Sequence, residues 1–155
     1  MTVSDTGPYG HIVVGTDGSP TAGQAVRHAA QLAVACHARL TIVSAYTHQD
    51  ARVAGLEAPS GSDDAWMADD AAGAQDHVID AQELAKREGL ADPRGRTEAG
   101  DPASVLLDVA ADLHADLIVV GSRGMAAASR FLLGSVPNRV SHHAPCDVEI
   151  VRTAD

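Results

Sequence analysis

Short runs of valine and isoleucine alternate along this chain with longer alanine-rich segments, and this alternation limits the folds open to it. The run at residues 12–14 stops at Gly15, and the run at 117–120 stops at Gly121. Continuous apolar runs of this length are typical of strands buried on both faces, and the segments between them repeat apolar residues at helical spacing. Strands that alternate with helices indicate one α/β domain built on a parallel sheet.

The pattern predicts five strands and four helices. The strands are expected at residues 11–14, 39–46, 94–99, 116–120 and 147–152. The helices are expected to begin at Pro20, near Met67, at Pro102 and at Ser135, with Ser19, Asp101 and Ser135 as N-caps. Residues 1–10 are interpreted as a flexible tail, residues 11–153 as the domain, and residues 47–66 as a mobile loop within it.

Composition excludes several classes of function. The formal net charge is −10, so nucleic acids and anionic membranes would repel the chain. Cys36 and Cys146 have no zinc or redox spacing and are expected to be small buried apolar residues. No secretory signal and no apolar run of membrane-spanning length occurs, which predicts a cytoplasmic protein without a membrane partner.

The segment 121–135 carries the clearest chemical signal. Gly121 and Gly124 let the backbone approach a ligand, and Gly134 with Ser135 opens a helix whose free N–H groups favour a phosphate. Ser135 either caps that helix or offers its hydroxyl to a phosphate oxygen. No Asp or Glu occurs between residues 117 and 146, although the chain has 21 of them. The same stretch contains three arginines: Arg123, Arg130 and Arg139. A helix–sheet connection of chance composition stays open as the alternative.

Two familiar phosphate motifs are absent. Lys86 is the only lysine of the chain and lies far from these glycines, so the segment is not a P-loop. The G-x-G-x-x-G pattern of dinucleotide-binding domains is absent too.

The glycine spacing resembles the ATP-binding signature of the universal stress protein family. That signature is Gly-x-x-Gly, nine residues, Gly-Ser, carried here by Gly121, Gly124, Gly134 and Ser135. The first strand and turn at 12–19 and the C-terminal run from residue 132 onward are similar to the family as well, so the resemblance covers residues 11–152.

The resemblance implies a doubly wound, Rossmann-like domain with a five-stranded parallel sheet in the order 3-2-1-4-5. It also implies an adenine nucleotide as ligand, either ATP with Mg²⁺ or cyclic AMP, which an actinobacterial subset similar around residues 40–46 binds. Asp17 would lie near the ribose or a phosphate-bound Mg²⁺, unless it only bonds the local turn, and Ala45 would offer backbone groups to adenine. The implied nucleotide-binding residues are Gly15, Thr16, Asp17, Ala45, Val120, Gly121, Arg123, Gly124, Gly134, Ser135 and Val136.

The resemblance also implies a homodimer through the C-terminal strand at 147–152, where Glu149 replaces the usual apolar residue. No catalytic residue is expected, and hydrolysis would be slow or absent. Two other functions stay open. One is an interaction protein that binds no nucleotide. The other is a weak ATPase or adenylating enzyme, because the turn at 15–19 resembles, only weakly, the S-G-G-x-D-S loop of adenylating enzymes.

Overall fold

A computed structural model describes residues 7–46, 63–122 and 134–153 of the chain. Five strands alternate with four helices in these ranges. In chain order they are β1 His11–Gly15, α1 Pro20–Cys36, β2 Arg39–Tyr46, α2 Asp63–Arg87, β3 Arg94–Ala99, α3 Pro102–Asp112, β4 Leu117–Gly121, α4 Ser135–His143 and β5 Asp147–Val151.

The strands form one parallel sheet in the order β3-β2-β1-β4-β5, which confirms the predicted topology. β1 lies at the centre, with Val14 opposite Ile42 of β2 and Val119 of β4. Because the chain moves from β1 to one side of the sheet and later returns to the other, the strand order reverses between β1 and β4. Open α/β sheets bind ligands outside the carboxyl ends of the strands at such a reversal.

Helices cover both faces of the sheet. Ile12 and Val14 of β1 belong to the core beneath α1 and α2, whereas Val13 belongs to the core beneath α3 and α4. All three are fully buried, as expected for a central parallel strand. The buried stripe of α1 consists mostly of alanine, which lets this helix lie close to the sheet without large side chains between them.

Side-chain caps set the starts of two helices as predicted. The Ser19 hydroxyl accepts a hydrogen bond from the Ala22 N–H at 3.1 Å, and Pro20 follows as the first residue of α1. The Asp101 carboxylate accepts from the Ser104 N–H at 3.1 Å at the start of α3. The prediction for α4 was wrong, because Gly134 is the N-cap and Ser135 is the first helical residue. Gly134 has the extended backbone of a cap, and Ser135 is already inside the helix.

A few boundaries differ from the predictions. α2 begins at Asp63, ahead of the expected start near Met67, β4 continues to Gly121, and β5 ends at Val151. Residues 7–10 lie against the domain, since the Gly7 N–H donates to the Cys36 carbonyl at 2.9 Å. The rest of the predicted tail, residues 1–6, and the predicted loop up to residue 62 lie outside the described residues. In the described ranges, no helix has the length and apolar character needed to cross a membrane.

Candidate functional site

The two polar strand ends singled out by the sequence lie side by side. β1 and β4 are hydrogen-bonded neighbours, so the turn after Gly15 and the segment after Gly121 leave the same edge of the sheet. Both α1, which follows β1, and α4, which follows β4, begin at this edge, and they cover opposite faces of the sheet. This juxtaposition creates the crevice that the strand order predicts.

The turn after β1 is held by its own side chains. The Thr16 hydroxyl accepts from the Gly18 N–H at 3.2 Å, and the Asp17 carboxylate accepts from the Ser19 N–H at 2.9 Å. The Thr16 N–H continues the sheet by donating to the Val43 carbonyl at 2.9 Å. Asp17 is exposed, so its carboxylate both shapes the turn and faces solvent at the mouth of the crevice.

β2 extends past the end of β1 and presents backbone groups there. Val43 is opposite Gly15, the last residue of β1, so Ala45 lies two residues beyond it. Alternate residues of a strand direct their N–H and C=O to the same neighbour, and the Val43 carbonyl points to the β1 side. The N–H and C=O of Ala45 therefore point to the same side beyond the end of β1, at the crevice.

α4 begins at the opposite wall with an open N-terminus. Gly134 has no side chain to cap it, and the first turn of the helix contains no acidic residue. Ser135 is exposed, and among the described residues its hydroxyl has no hydrogen-bond partner. Of the two roles that the sequence left open for Ser135, capping is therefore excluded, and the hydroxyl is available to a ligand.

Hydrogen bonds join the two ends of the segment between β4 and α4. The Gly134 N–H donates to the Ser122 carbonyl at 3.0 Å, and the Ser122 N–H donates to the Val151 carbonyl at 2.8 Å. The Thr153 N–H donates to the Ser122 hydroxyl at 3.1 Å, and Thr153 is only 1% exposed. No local sequence pattern indicated the contact between Ser122 and Thr153, because it joins residues that follow the carboxyl ends of two different strands, β4 and β5. Arg123 and Gly124 lie outside the described residues.

Arg139 has a structural partner. Its guanidinium pairs with the Asp101 carboxylate at the start of α3 and donates to the Ser104 hydroxyl at 3.0 Å. The pKa of Asp101 is lowered, chiefly by the hydrogen bond from the Ser104 N–H and further by the Ser104 hydroxyl and Arg139. The guanidinium of Arg139 is thus engaged by Asp101 and Ser104, and this contact joins α4 to α3.

The other predicted site residues that the structure describes, Val120, Val136 and Gly15, pack in the core or against neighbouring helices. Val120 is buried, and Val136 packs against the core beneath α3 and α4. A Cβ added at Gly15 would lie 2.9 Å from Cδ1 of Leu106, so α3 packs directly against the end of β1. No sequence pattern indicated the contact between Gly15 and Leu106. Among the residues that the structure describes, no three His, Cys, Asp or Glu side chains are grouped as a metal site would require.

Comparison with known proteins agrees with this architecture. The family model of the universal stress protein family matches residues 8–152, nearly the whole chain. The chain belongs to the universal stress protein family. The universal stress protein Rv1636 of Mycobacterium tuberculosis is 40% identical over 147 residues, which are 94% of this chain and 97% of that protein. A putative universal stress protein of Staphylococcus haemolyticus is 32% identical over 152 residues, 95% of this chain and 87% of its own length.

Solved structures of universal stress proteins superpose on most of the chain. A universal stress protein in complex with cAMP is 34% identical and gives a TM-score of 0.70, with 94% of this chain and 98% of that chain covered. UspA from Lactobacillus plantarum is 25% identical and gives a TM-score of 0.78, covering 95% of this chain and all of its own. The predicted family and its likeness to cyclic-AMP-binding members are confirmed.

Proposed function

We propose that this universal stress protein is a signalling or stress-response module that binds an adenine nucleotide in the crevice at the ends of β1 and β4. The open N-terminus of α4 carries the proposal. Its first N–H groups and the exposed Ser135 hydroxyl lie beside the end of β4, and Gly134 leaves room for a ligand's approach. Unpaired N–H groups and the helix dipole together favour a phosphate at such a terminus.

The charge pattern supports a phosphate at this wall. The first turn of α4 contains no acidic residue, whereas the chain as a whole carries a net charge of −10. The neighbouring Arg139 is paired with Asp101, so the attraction comes from the N–H groups and the Ser135 hydroxyl rather than from this arginine. Arg123 and Gly124 stay predicted contacts of the same phosphate.

The opposite wall fits the nucleoside. The backbone of Ala45 offers one donor and one acceptor beyond the end of β1, which is the pairing an adenine edge requires. Asp17 is near enough to the same strand end to accept from a ribose hydroxyl. A carboxylate has more acceptor sites than the single bond from Ser19 uses, so Asp17 also fits as an oxygen ligand of Mg²⁺ carried by ATP.

Cyclic AMP is the first ligand to test, and ATP is the second. A relative 34% identical to this chain is known in complex with cAMP. A cyclic monophosphate needs one phosphate subsite and no metal, which matches the open N-terminus of α4 at the crevice. ATP with Mg²⁺ is favoured by the Gly-x-x-Gly, nine residues, Gly-Ser spacing.

Binding without rapid turnover follows from the side chains at the crevice. Lys86, the only lysine of the chain, lies in the last turn of α2 and pairs with Glu83. Among the described residues at the strand ends, Asp17 is the only carboxylate near the crevice that is not paired with an arginine. Phosphoryl transfer relies on cations that stabilise the developing charge, so we propose little or no hydrolysis.

We also propose that two copies of the chain pair through β5, the edge strand of the sheet. The carboxylate of Glu149, the unusual acidic residue of this strand, is hydrogen-bonded to the His28 ring of α1. Its charge is therefore directed toward a helix of its own chain, and the outer backbone edge of β5 stays open to a partner strand. Sedimentation equilibrium at micromolar concentration should give a dimer, and a monomer would contradict this assembly.

Calorimetry on nucleotide-free protein tests the proposed ligand. Cyclic AMP, ATP with Mg²⁺ and adenosine are titrated into the wild type and the Ser135→Ala variant. Loss of a hydroxyl that bonds a charged phosphate is expected to weaken cyclic AMP binding by about tenfold and to leave adenosine unchanged. Ser141→Ala, an exposed position on the same helix, is the control. Absence of heat with every nucleotide would refute the proposal and favour an interaction protein.

A further inference from the structure

A histidine from α2 lies against the turn that follows β1. Gly18 has a φ of +80°, and a Cβ built on it would be 2.6 Å from Nε2 and 2.8 Å from Cγ of His77. Two independent constraints thus require glycine here, the left-handed backbone and the imidazole ring above it. The ring packs so closely on the Gly18 backbone that any side chain at residue 18 would force the ring to move.

His77 has no other evident role in the described part of the chain. The side chain is half-buried, and it forms no hydrogen bond or ion pair with any described residue. Partial burial of a polar ring without a polar partner costs free energy. Packing of the ring against Gly18 offsets this free-energy cost. Since α2 also packs against β2, β3 and α1, the ring joins a well-anchored helix to the turn.

The shape of this turn determines how the candidate site is presented. The Gly18 N–H donates to the Thr16 hydroxyl, and the Ser19 N–H donates to the Asp17 carboxylate. A shift of Gly18 would therefore reorient both side chains at the mouth of the crevice. Leu106 of α3 supports the other end of the turn by packing on Gly15. The turn is thus held between helices from the two faces of the sheet.

We propose that His77 is a positioning residue of the nucleotide site, whose imidazole fixes Gly18 so that Thr16 and Asp17 keep the orientation that a ligand meets. The expected effect of His77 on nucleotide affinity rests on the proposed nucleotide binding. The expected effect of His77 on the shape of the turn does not. His77 acts through the ring's shape and packing, and it does not itself touch the ligand.

Affinities of three variants test this role. His77→Ala removes the ring and is expected to weaken cyclic AMP or ATP binding by about tenfold, within the range known for residues without ligand contact. His77→Phe keeps a planar ring on Gly18 and should restore the affinity to within about twofold of wild type. Gln75→Ala, an exposed position on the same helix, is the control. Equal losses in His77→Ala and His77→Phe would overturn the positioning role.

Hydrogen exchange in the free protein separates this inference from nucleotide binding. The Gly18 and Ser19 amides, which donate to Thr16 and Asp17, should exchange faster in His77→Ala and at the wild-type rate in His77→Phe. Unchanged exchange in His77→Ala would overturn the inference whatever the nucleotide results. If the wild type binds no nucleotide but exchange changes as expected, the proposed ligand is wrong and the role of His77 in the turn stands.

Discussion

Replacing Gly15 by alanine would separate the two reasons that this position has for lacking a side chain. The added Cβ would lie 2.9 Å, 3.3 Å and 3.5 Å from Cδ1, Cδ2 and Cγ of Leu106. Gly15 has no positive φ, so its backbone accepts alanine and the packing against α3 is the structural obstacle. All three of these atoms are absent when Leu106 is also replaced by alanine.

The expected free energies follow from this geometry. Leu106 is 4% exposed and surrounded by close-packed core, so it has little room to move, and Gly15→Ala should cost about 1–3 kcal/mol through overpacking. Leu106→Ala alone should cost about 2–5 kcal/mol through lost burial and a cavity. In the double variant the new Cβ enters the space left by Leu106, so the total should be smaller than the sum by about 0.5–3 kcal/mol.

Urea unfolding of the wild type, both single variants and the double variant measures this coupling. Leu107→Ala combined with Gly15→Ala is the matched control, because the half-buried Leu107 lies on the same helix and does not contact Gly15. Additivity of Gly15→Ala and Leu106→Ala within about 0.5 kcal/mol would refute the packing argument. The double variant and Leu106→Ala differ only at residue 15. A lower nucleotide affinity in the double variant than in Leu106→Ala would therefore show that the ligand also requires glycine at residue 15.

Three further predictions concern single polar side chains: His11, Asp101 and Thr153. Burial, and then the nearby Arg39 charge, lower the pKa of His11 in the folded protein. The free energy of unfolding should therefore fall as pH drops below about 6.5, the ordinary pKa of histidine. Urea unfolding between pH 7 and 5 should show a smaller loss of stability in His11→Gln than in the wild type. Asp101→Ala removes a helix cap and should cost about 1 kcal/mol at pH 7, and this cost should shrink as pH falls below 3.8, the ordinary pKa of the carboxyl, toward its lowered pKa in the folded protein. Thr153→Val keeps the backbone bond to Ser122 but removes the 3.3 Å contact between the Thr153 and Ser122 hydroxyls, so it should speed amide exchange at Gly134 by loosening Ser122, and unchanged exchange would contradict the support by that hydroxyl.

Local patterns predicted the elements of the fold because each pattern has a local physical cause. Buried parallel strands need continuous apolar runs, so β1 and β4 were evident from the sequence. Ser19 and Asp101 were recognised as caps because a cap acts on the N–H groups only two or three residues later. Ser135 was misassigned since serine and glycine both favour the cap position, and only the backbone geometry at Gly134 decides between them.

The location of the site in the fold could be predicted from the sequence, but the contacts among its residues could not. Neighbouring glycine-bearing strand ends follow from the alternation of elements together with the family's strand order. The contacts of Gly15 with Leu106 and of Gly18 with His77 join residues far apart in the sequence, and no local pattern records them. The sequence showed Arg139 only as one of three arginines in a stretch without carboxylates, and its pairing with Asp101 emerged only from the packing of α4 on α3.

The bond between the Gly134 N–H and the Ser122 carbonyl brings the chain back beside the point where it left the sheet. Ser122 and Gly134 therefore meet at a common anchor, which β5 and Thr153 also hold. A segment attached in this way can be exchanged for one of different length or composition without altering the strand register. Grafting the corresponding segments of relatives onto this anchor would test whether the residues between Ser122 and Gly134 determine which nucleotide binds.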